Sequence, residues 1–135
     1  MSNIKVFEND LPDDLDLSNE KFIGLDNEAL GLVLGRDPLT LVQLGLVSKN
    51  FYLVKLNRDT YNAPNLVKVL SNDKTQFIMH YARQDLMWLK YHLNVKPKNI
   101  FCTKVASKIA RTASSFHGYK DLVKELCGKD ISKKE

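Results

Sequence analysis

The order of apolar patterns along the chain constrains its fold more than any other feature. Strand-like runs separated by turn signals fill the first part of the chain: Lys5–Glu8, Lys21–Asp26, Leu39–Leu46 and Phe51–Leu56. After Pro64 the pattern changes, because helical periods now alternate with short apolar runs. Strands that follow one another and then alternate with helices predict an α/β fold with a mixed sheet flanked by helices.

The second half of the chain contains the predicted helices. They are Asn65–Ser71, Arg83–Leu93, Thr103–Ala113 and Tyr119–Leu126, and the strands between them are Gln76–Met79 and Asn99–Cys102. Pro64 suits a first helical turn, where its missing N–H costs no hydrogen bond. Gly128 is the type of residue that ends a helix in a left-handed conformation.

The size and composition of the chain favour one globular domain over residues 1–135, with a disordered end expected at 134–135. The 135 residues are 44% hydrophobic and 27% charged, which is ordinary for a folded domain. No apolar run approaches the ~20 residues that span a bilayer, and the acidic N-terminus does not resemble a secretory signal. We therefore expect a cytoplasmic protein without a membrane partner. Cys102 and Cys127 form no metal-binding motif, so neither zinc nor a disulfide is expected.

Charge is distributed unevenly along the chain. Residues 1–30 contain two basic and eight acidic residues, whereas residues 96–135 contain ten basic and four acidic residues. A basic surface attracts phosphates, which is typical of proteins that bind nucleic acids. A lysine-rich surface that only contacts solvent explains the same charges, so both interpretations stay open.

Two carboxylates occur at the end of a core-like run, in the string LDNEAL. If the strand continues, Asp26 and Glu28 share one face at about 6.5–7 Å, because side chains alternate along a strand. Such a pair either takes up a proton or holds a cation, and hard oxygen ligands suit Mg²⁺ or Mn²⁺. Alternatively, the strand ends at Leu25 and both acids are solvated loop residues.

Asp85 is a third acidic candidate. It lies in the first turn of a predicted helix, three and four residues before Trp88 and Leu89, and so shares a partly apolar face. One interpretation is that Asp85 faces the Asp26 and Glu28 pair and completes a metal site. The other is a common N-terminal acid that the helix dipole stabilises by about 0.3–1 kcal/mol.

The order of several segments resembles a known family. They are FIGLDNEALGL, LTLVQLGL, YLVKL, FIMHYARQDLMWL, NIFCTKVASKIART and HGYKDLVKELCGKDISK. From about Phe22 to the end, the chain resembles the 3′–5′ exonuclease domain of ribonuclease D, in the DEDD superfamily with a ribonuclease H-like fold.

The resemblance implies a catalytic site and its cofactors. Asp26 and Glu28 match the Asp-x-Glu of the family's first motif, and Asp85 matches the aspartate of the second. It implies two divalent cations, Mg²⁺ or Mn²⁺, with Asp26 bridging both, Glu28 binding the first and Asp85 holding the second through water. Asn27 replaces the family's usual Thr; its side chain is expected to point away from the metals, with little effect on them.

The family's third motif, Tyr-x-x-x-Asp, follows the segment that resembles GKDISK, and the sequence ends at Glu135 before that position. The expectation is a C-terminally truncated domain that lacks the final helices, the last carboxylate and the tyrosine that positions water. His117 and Asp121 form an H-x-x-x-D string, but the spacing and position do not match a third motif. Asp121 is expected on a solvated helix face.

A basic stripe is the weaker binding candidate. Lys104, Lys108 and Arg111 fall on one helix face, where they contact either a nucleic-acid backbone or only solvent. His80 and Gln43 match residues common in the family, and we interpret both as structural hydrogen-bonding residues.

The resemblance therefore implies a metal-dependent 3′–5′ exoribonuclease. It would hydrolyse phosphodiesters at single-stranded RNA 3′ ends, and DNA stays open as a substrate. No small-molecule cofactor is expected, and no oligomeric state is predicted. Two alternatives remain: a truncated, catalytically impaired relative that retains nucleic-acid binding, and a non-enzymatic interaction module.

Overall fold

A computed structural model describes residues 3–132. The strands are β1 (Asn3–Glu8), β2 (Phe22–Ala29), β3 (Leu39–Leu46), β4 (Asn50–Lys55), β5 (Gln76–Met79) and β6 (Ile100–Cys102). The helices are α1 (Pro64–Leu70), α2 (Ala82–Leu93), α3 (Thr103–Ala110) and α4 (Tyr119–Cys127). The predicted disordered end at 134–135 lies outside the described residues.

The strands form one six-stranded sheet in the order β1-β4-β3-β2-β5-β6. β3 pairs antiparallel with β2 and β4, whereas β1 with β4, β2 with β5, and β5 with β6 pair in parallel. This mixed sheet with helices confirms the predicted α/β class. β2 lies between β3 and β5, and β5 pairs only with its first three residues, Phe22 to Gly24.

One face of the sheet forms the core. Alternate residues of the strands point into it, and α2 adds Trp88 (3% exposed) and Leu89 (0% exposed). The inward-leaning apolar face predicted for α2 is therefore confirmed. The segment before β2 also contributes: Asp10 Oδ1 accepts a hydrogen bond from the Leu66 N–H at 2.8 Å and holds the start of α1, which lacks a side-chain cap of its own.

Two predicted boundaries were wrong. β2 continues for three residues beyond Asp26, because Asp26 to Ala29 keep their pairing with β3. The predicted helix Thr103–Ala113 ends at Ala110, because Arg111 leaves the helical backbone and its guanidinium donates to the Phe116 carbonyl. The other elements agree with their predicted positions to within two residues. Among the helices of residues 3–132, none is long and apolar enough to cross a membrane.

Candidate active site

Asp26 and Glu28 project from the same face of β2. Both side chains are exposed, whereas Leu25 and Asn27, which alternate with them, are buried. The interpretation in which the strand ends at Leu25 is therefore wrong. Neither acid forms an ion pair with a lysine or arginine among residues 3–132, so no basic side chain of that region compensates their charge.

Asp85 lies beside these two acids. It is in the first turn of α2, and burial raises its pKa to about 7. The charge of Asp26, a hydrogen bond with Asp26 and the charge of Glu28 contribute to the raised pKa after burial. A helix dipole acting alone would lower the pKa of an N-terminal aspartate. Burial and the neighbouring acids therefore outweigh the dipole at this position.

The three carboxylates provide the oxygen donors that Mg²⁺ and Mn²⁺ prefer. Burial and then the repulsion of the neighbouring acids raise the pKa of Asp85, and that repulsion is the kind of unfavourable interaction that a bound cation relieves. Within residues 3–132, however, no group of three or more His, Cys, Asp or Glu side chains is close enough to form a complete metal cage. The donor chemistry thus fits a divalent cation, whereas the side-chain spacing is not that of a preformed cage.

A cavity of about 590 Å³ adjoins Asp26. Gly24 and Gly45, which pair directly across β2 and β3, line it together with Phe51. A Cβ atom at Gly45 would lie 3.2 Å from the Phe51 ring, so a larger residue would crowd this ring. The lack of side chains at the two glycines leaves space on the sheet surface beside Asp26.

His80 forms another part of the cavity wall. The Thr103 hydroxyl donates to the Met79 carbonyl at 3.1 Å, and the hydroxyl oxygen of Thr103 lies 2.9 Å from His80 Nδ1. Because the hydroxyl proton is already used, His80 Nδ1 is assigned as the donor. Burial lowers the pKa of His80, and the nearby Lys104 charge adds to the effect. His80 is therefore a neutral residue held in one tautomer.

The basic stripe of α3 is not uniform. Lys104 Nζ lies 4.1 Å from the centre of the Tyr81 ring, and Lys108 is exposed. Arg111 instead donates to Ser107 Oγ, to the Phe116 carbonyl and to Glu125. Lys104 and Lys108 are therefore accessible to a nucleic acid, whereas Arg111 links α3 to α4.

His117 has a structural role that agrees with its exclusion from the site. Its Nε2 donates to the Ser114 carbonyl at 2.7 Å, and its Nδ1 lies 2.8 Å from Ser107 Oγ. Both ring nitrogens are therefore engaged within the segment that joins α3 to α4. Asp121 is half-buried and not fully solvated, because it packs close to Gly118 at the start of α4.

Asn27 makes a contact beside the candidate site that the sequence did not predict. As predicted, its side chain points away from the face that carries Asp26 and Glu28, but its Nδ2 donates to the Asp85 carbonyl at 3.1 Å. The sequence feature that indicates such a contact is a polar residue on the buried face of a strand. Buried polar side chains nearly always have a partner.

Comparisons with known proteins agree with this arrangement. The family model described as 3′–5′ exonuclease matches residues 8–135. The structure of Brucella melitensis NrnC bound to pGG has 36% identity and a TM-score of 0.92, covering 100% of this chain and 66% of that one. NrnC with bound Mg²⁺ has 35% identity and a TM-score of 0.90, covering 98% and 66%. This chain therefore spans just under two thirds of the length of these relatives.

A more distant comparison concerns the fold alone. Escherichia coli RNase D, described as an exoribonuclease involved in structured RNA processing, has 18% identity and a TM-score of 0.71, covering 86% of this chain and 30% of that one. No curated protein sequence matches this chain. The sheet and helices have the ribonuclease H-like exonuclease fold, and the chain belongs to the 3′–5′ exonuclease family.

Proposed function

We propose that this chain is the part of a metal-dependent 3′–5′ exonuclease, of ribonuclease D type, that holds most of its catalytic carboxylates. The observation that carries the proposal is the position of Asp26 and Glu28 on one face of β2, beside the first turn of α2 that carries Asp85. The charges of Asp26 and Glu28 add to burial in raising the pKa of Asp85. Acidic side chains that share one site and lack basic partners are typical of groups that hold divalent cations.

In this proposal the three acids hold Mg²⁺ or Mn²⁺. When bound, the cations would activate a water molecule and stabilise the leaving 3′ oxygen. Asp26 and Glu28 present their oxygens from a stretch of β2 that pairs with β3, which limits changes in their separation. Asp85 approaches from α2 and must lose its proton before its carboxylate binds a cation.

The proposed substrate is the 3′ end of single-stranded RNA. Lys104 and Lys108 provide charge for phosphate contacts, and the cavity beside Asp26 provides space for part of a nucleotide. Because NrnC binds pGG, short oligonucleotides should be tested as substrates as well as long RNA. A cytoplasmic location is part of the same proposal.

A second candidate is a binding protein without turnover. It is favoured by the lack of a complete three-ligand cage among residues 3–132. Such a protein would retain the fold and the basic surface and would bind RNA without hydrolysing it. A non-enzymatic protein-interaction module would instead show no RNA binding at low salt.

The test is a hydrolysis assay on RNA and pGG in Mn²⁺, with products resolved by length. Asp26→Ala should lower the rate by more than about 100-fold, since loss of a direct metal ligand should exceed the 10–100-fold cost of losing a group that only orients a ligand. Asp59→Ala, which removes an exposed acid outside the site, is the matched control. Equal traces of product from wild type and Asp26→Ala would indicate contamination and contradict the enzyme proposal.

RNA binding measured in EDTA separates the remaining candidates. Binding that weakens steeply with salt, without product in Mn²⁺, would favour the binding protein. No binding at low salt, together with a defined protein complex, would favour the interaction module.

A further inference from the structure

Asn27 connects the two halves of the candidate site. It is 8% exposed and occupies the buried face of β2, directly between Asp26 and Glu28 in sequence. Its side-chain Nδ2 donates to the main-chain carbonyl of Asp85 at 3.1 Å, across 58 residues of sequence. One side chain therefore joins the strand that carries two acids to the helical turn that carries the third.

Hydrogen bonds from outside the helix hold the start of α2. Tyr81, the residue before the helix, has a left-handed backbone (φ 58°) and makes no side-chain cap hydrogen bond. The Ala82 N–H donates to the Cys102 sulfur at 3.5 Å, and sulfur is a weak acceptor. The Asn27 amide at 3.1 Å is within the normal range of an N–H···O hydrogen bond and is thus the firmer restraint on this turn.

We propose that Asn27 is a positioning residue for Asp85. Asp26, Asn27 and Glu28 each pair with a residue of β3, so they form one continuous segment of the sheet. By fixing the Asp85 main chain to this segment, Asn27 sets the separation between the Asp85 carboxylate and the other two. The inference rests on the proposed function only in that the three acids bind divalent cations together.

A purely stabilising role for Asn27 makes a different prediction. A buried hydrogen bond anywhere in the core contributes to stability, and removing one partner destabilises the fold. A positioning role also requires that cation affinity depends on Asn27 more than on an equally buried hydrogen bond elsewhere. Thr75 provides the matched comparison: it is 1% exposed and donates to the Glu20 carbonyl at 2.7 Å, before β5 begins.

The experiment measures Mn²⁺ binding by calorimetry and urea unfolding for four proteins. They are the wild type, Asn27→Leu, Asn27→Ala and Thr75→Val. Leu keeps the branched shape of Asn at a somewhat larger volume and removes the donor, and Ala is used if the Leu variant does not fold. We expect both Asn27 variants to bind Mn²⁺ about 10–100-fold more weakly than wild type, the cost typical of losing a group that orients a metal ligand. Thr75→Val should lose stability and keep wild-type affinity.

Unchanged Mn²⁺ affinity in folded Asn27 variants would overturn the positioning role and leave the proposed function intact. An equal loss of affinity in Thr75→Val would also overturn it, because the effect would then follow from general destabilisation. No Mn²⁺ binding by the folded wild type would overturn both the inference and the proposed metal site.

Discussion

Burial is the main influence on the charge of three titratable side chains, Asp85, His80 and His92. It is the first cause of the raised pKa of Asp85 and of the lowered pKa values of His80 and His92. In each case the uncharged form is favoured, because water no longer solvates the charge. At neutral pH, Asp85 is therefore partly protonated, and the two histidines are neutral.

His92 predicts a pH dependence of stability. It packs among Tyr61, Trp88 and Tyr91, and its buried Nε2 has no hydrogen-bond partner among residues 3–132. Its folded pKa is lowered below the usual 6.5, so the unfolded chain binds the proton more readily. Its contribution to stability is present above pH 6.5 and is lost as the pH falls through the lowered pKa.

When the pH falls from about 7.5 to about 5, the free energy of unfolding should therefore decrease less for His92→Phe than for the wild type. Urea unfolding at a series of pH values in EDTA measures the difference. His80 contributes to the same acid loss, so the dependence should decrease and not disappear. An identical pH profile in wild type and variant would contradict the prediction.

At the scale of elements, the packing of α2 against the core determines where Asp85 lies. Its buried residues fix the helix against the sheet, and its first turn carries Asp85. One stripe of the helix is therefore packed against the core, and the opposite stripe is exposed to solvent. Leu89 and Met87 lie on these two stripes, at 0% and 46% exposure.

Leu89→Ala should lower the free energy of unfolding by about 2–5 kcal/mol, because it removes buried methyl groups and leaves a cavity. Met87→Ala should change it by less than about 1 kcal/mol, since nearly half of that side chain already contacts water. Urea unfolding of both variants at neutral pH measures the contrast. Similar losses in the two variants would show that α2 does not pack as described.

The connection between α3 and α4 depends on Arg111. α4 buries only Leu122 among its described residues, so it has little apolar area with which to hold itself against the rest of the chain. Arg111 donates to Glu125 on α4 and to the Phe116 carbonyl before it. The hydrogen bonds of the Arg111 guanidinium therefore help to hold α4, which has little apolar packing.

Arg111→Ala should release α4 locally. Amide hydrogen exchange in residues 112–127 should become about tenfold faster, with exchange in β2 and β3 unchanged, because weakly packed segments open independently of the core. Lys108→Ala, which changes an exposed cation on the same helix, should leave exchange at the wild-type rate. Faster exchange in the control as well would mean that general charge, and not the Arg111 contacts, holds α4.

At the scale of the whole molecule, the acidic and basic parts of the sequence have different roles. In the acidic N-terminal segment, Asp10 holds the start of α1 and Asp13 accepts from Asn65. The basic residues of α3 include side chains that remain accessible. The net charge of +4 therefore understates the positive charge that a nucleic acid would meet at α3.

The double variant Lys104→Ala/Lys108→Ala should weaken RNA binding and its salt dependence. Each lost phosphate contact lowers the slope of log affinity against log salt by about 0.7 on single strands, so the double variant should lower it by about 1.4. Lys68→Ala/Lys74→Ala removes the same charge on and after α1 and is the control. Equal slopes for the two double variants would indicate a non-specific charge effect.

Local patterns in the sequence were sufficient to predict the order of strands and helices, because apolar periods act over a few residues. Strand alternation gave Asp26 and Glu28 one face only if the strand continued past Asp26, and the pairing of Asp26 to Ala29 with β3 decided that it does. The packed fold was needed to show that Asn27 binds the Asp85 carbonyl, 58 residues away, and that Glu125 engages Arg111. Such contacts join distant parts of the chain, and no local pattern specifies which polar groups meet once the sheet and helices have packed.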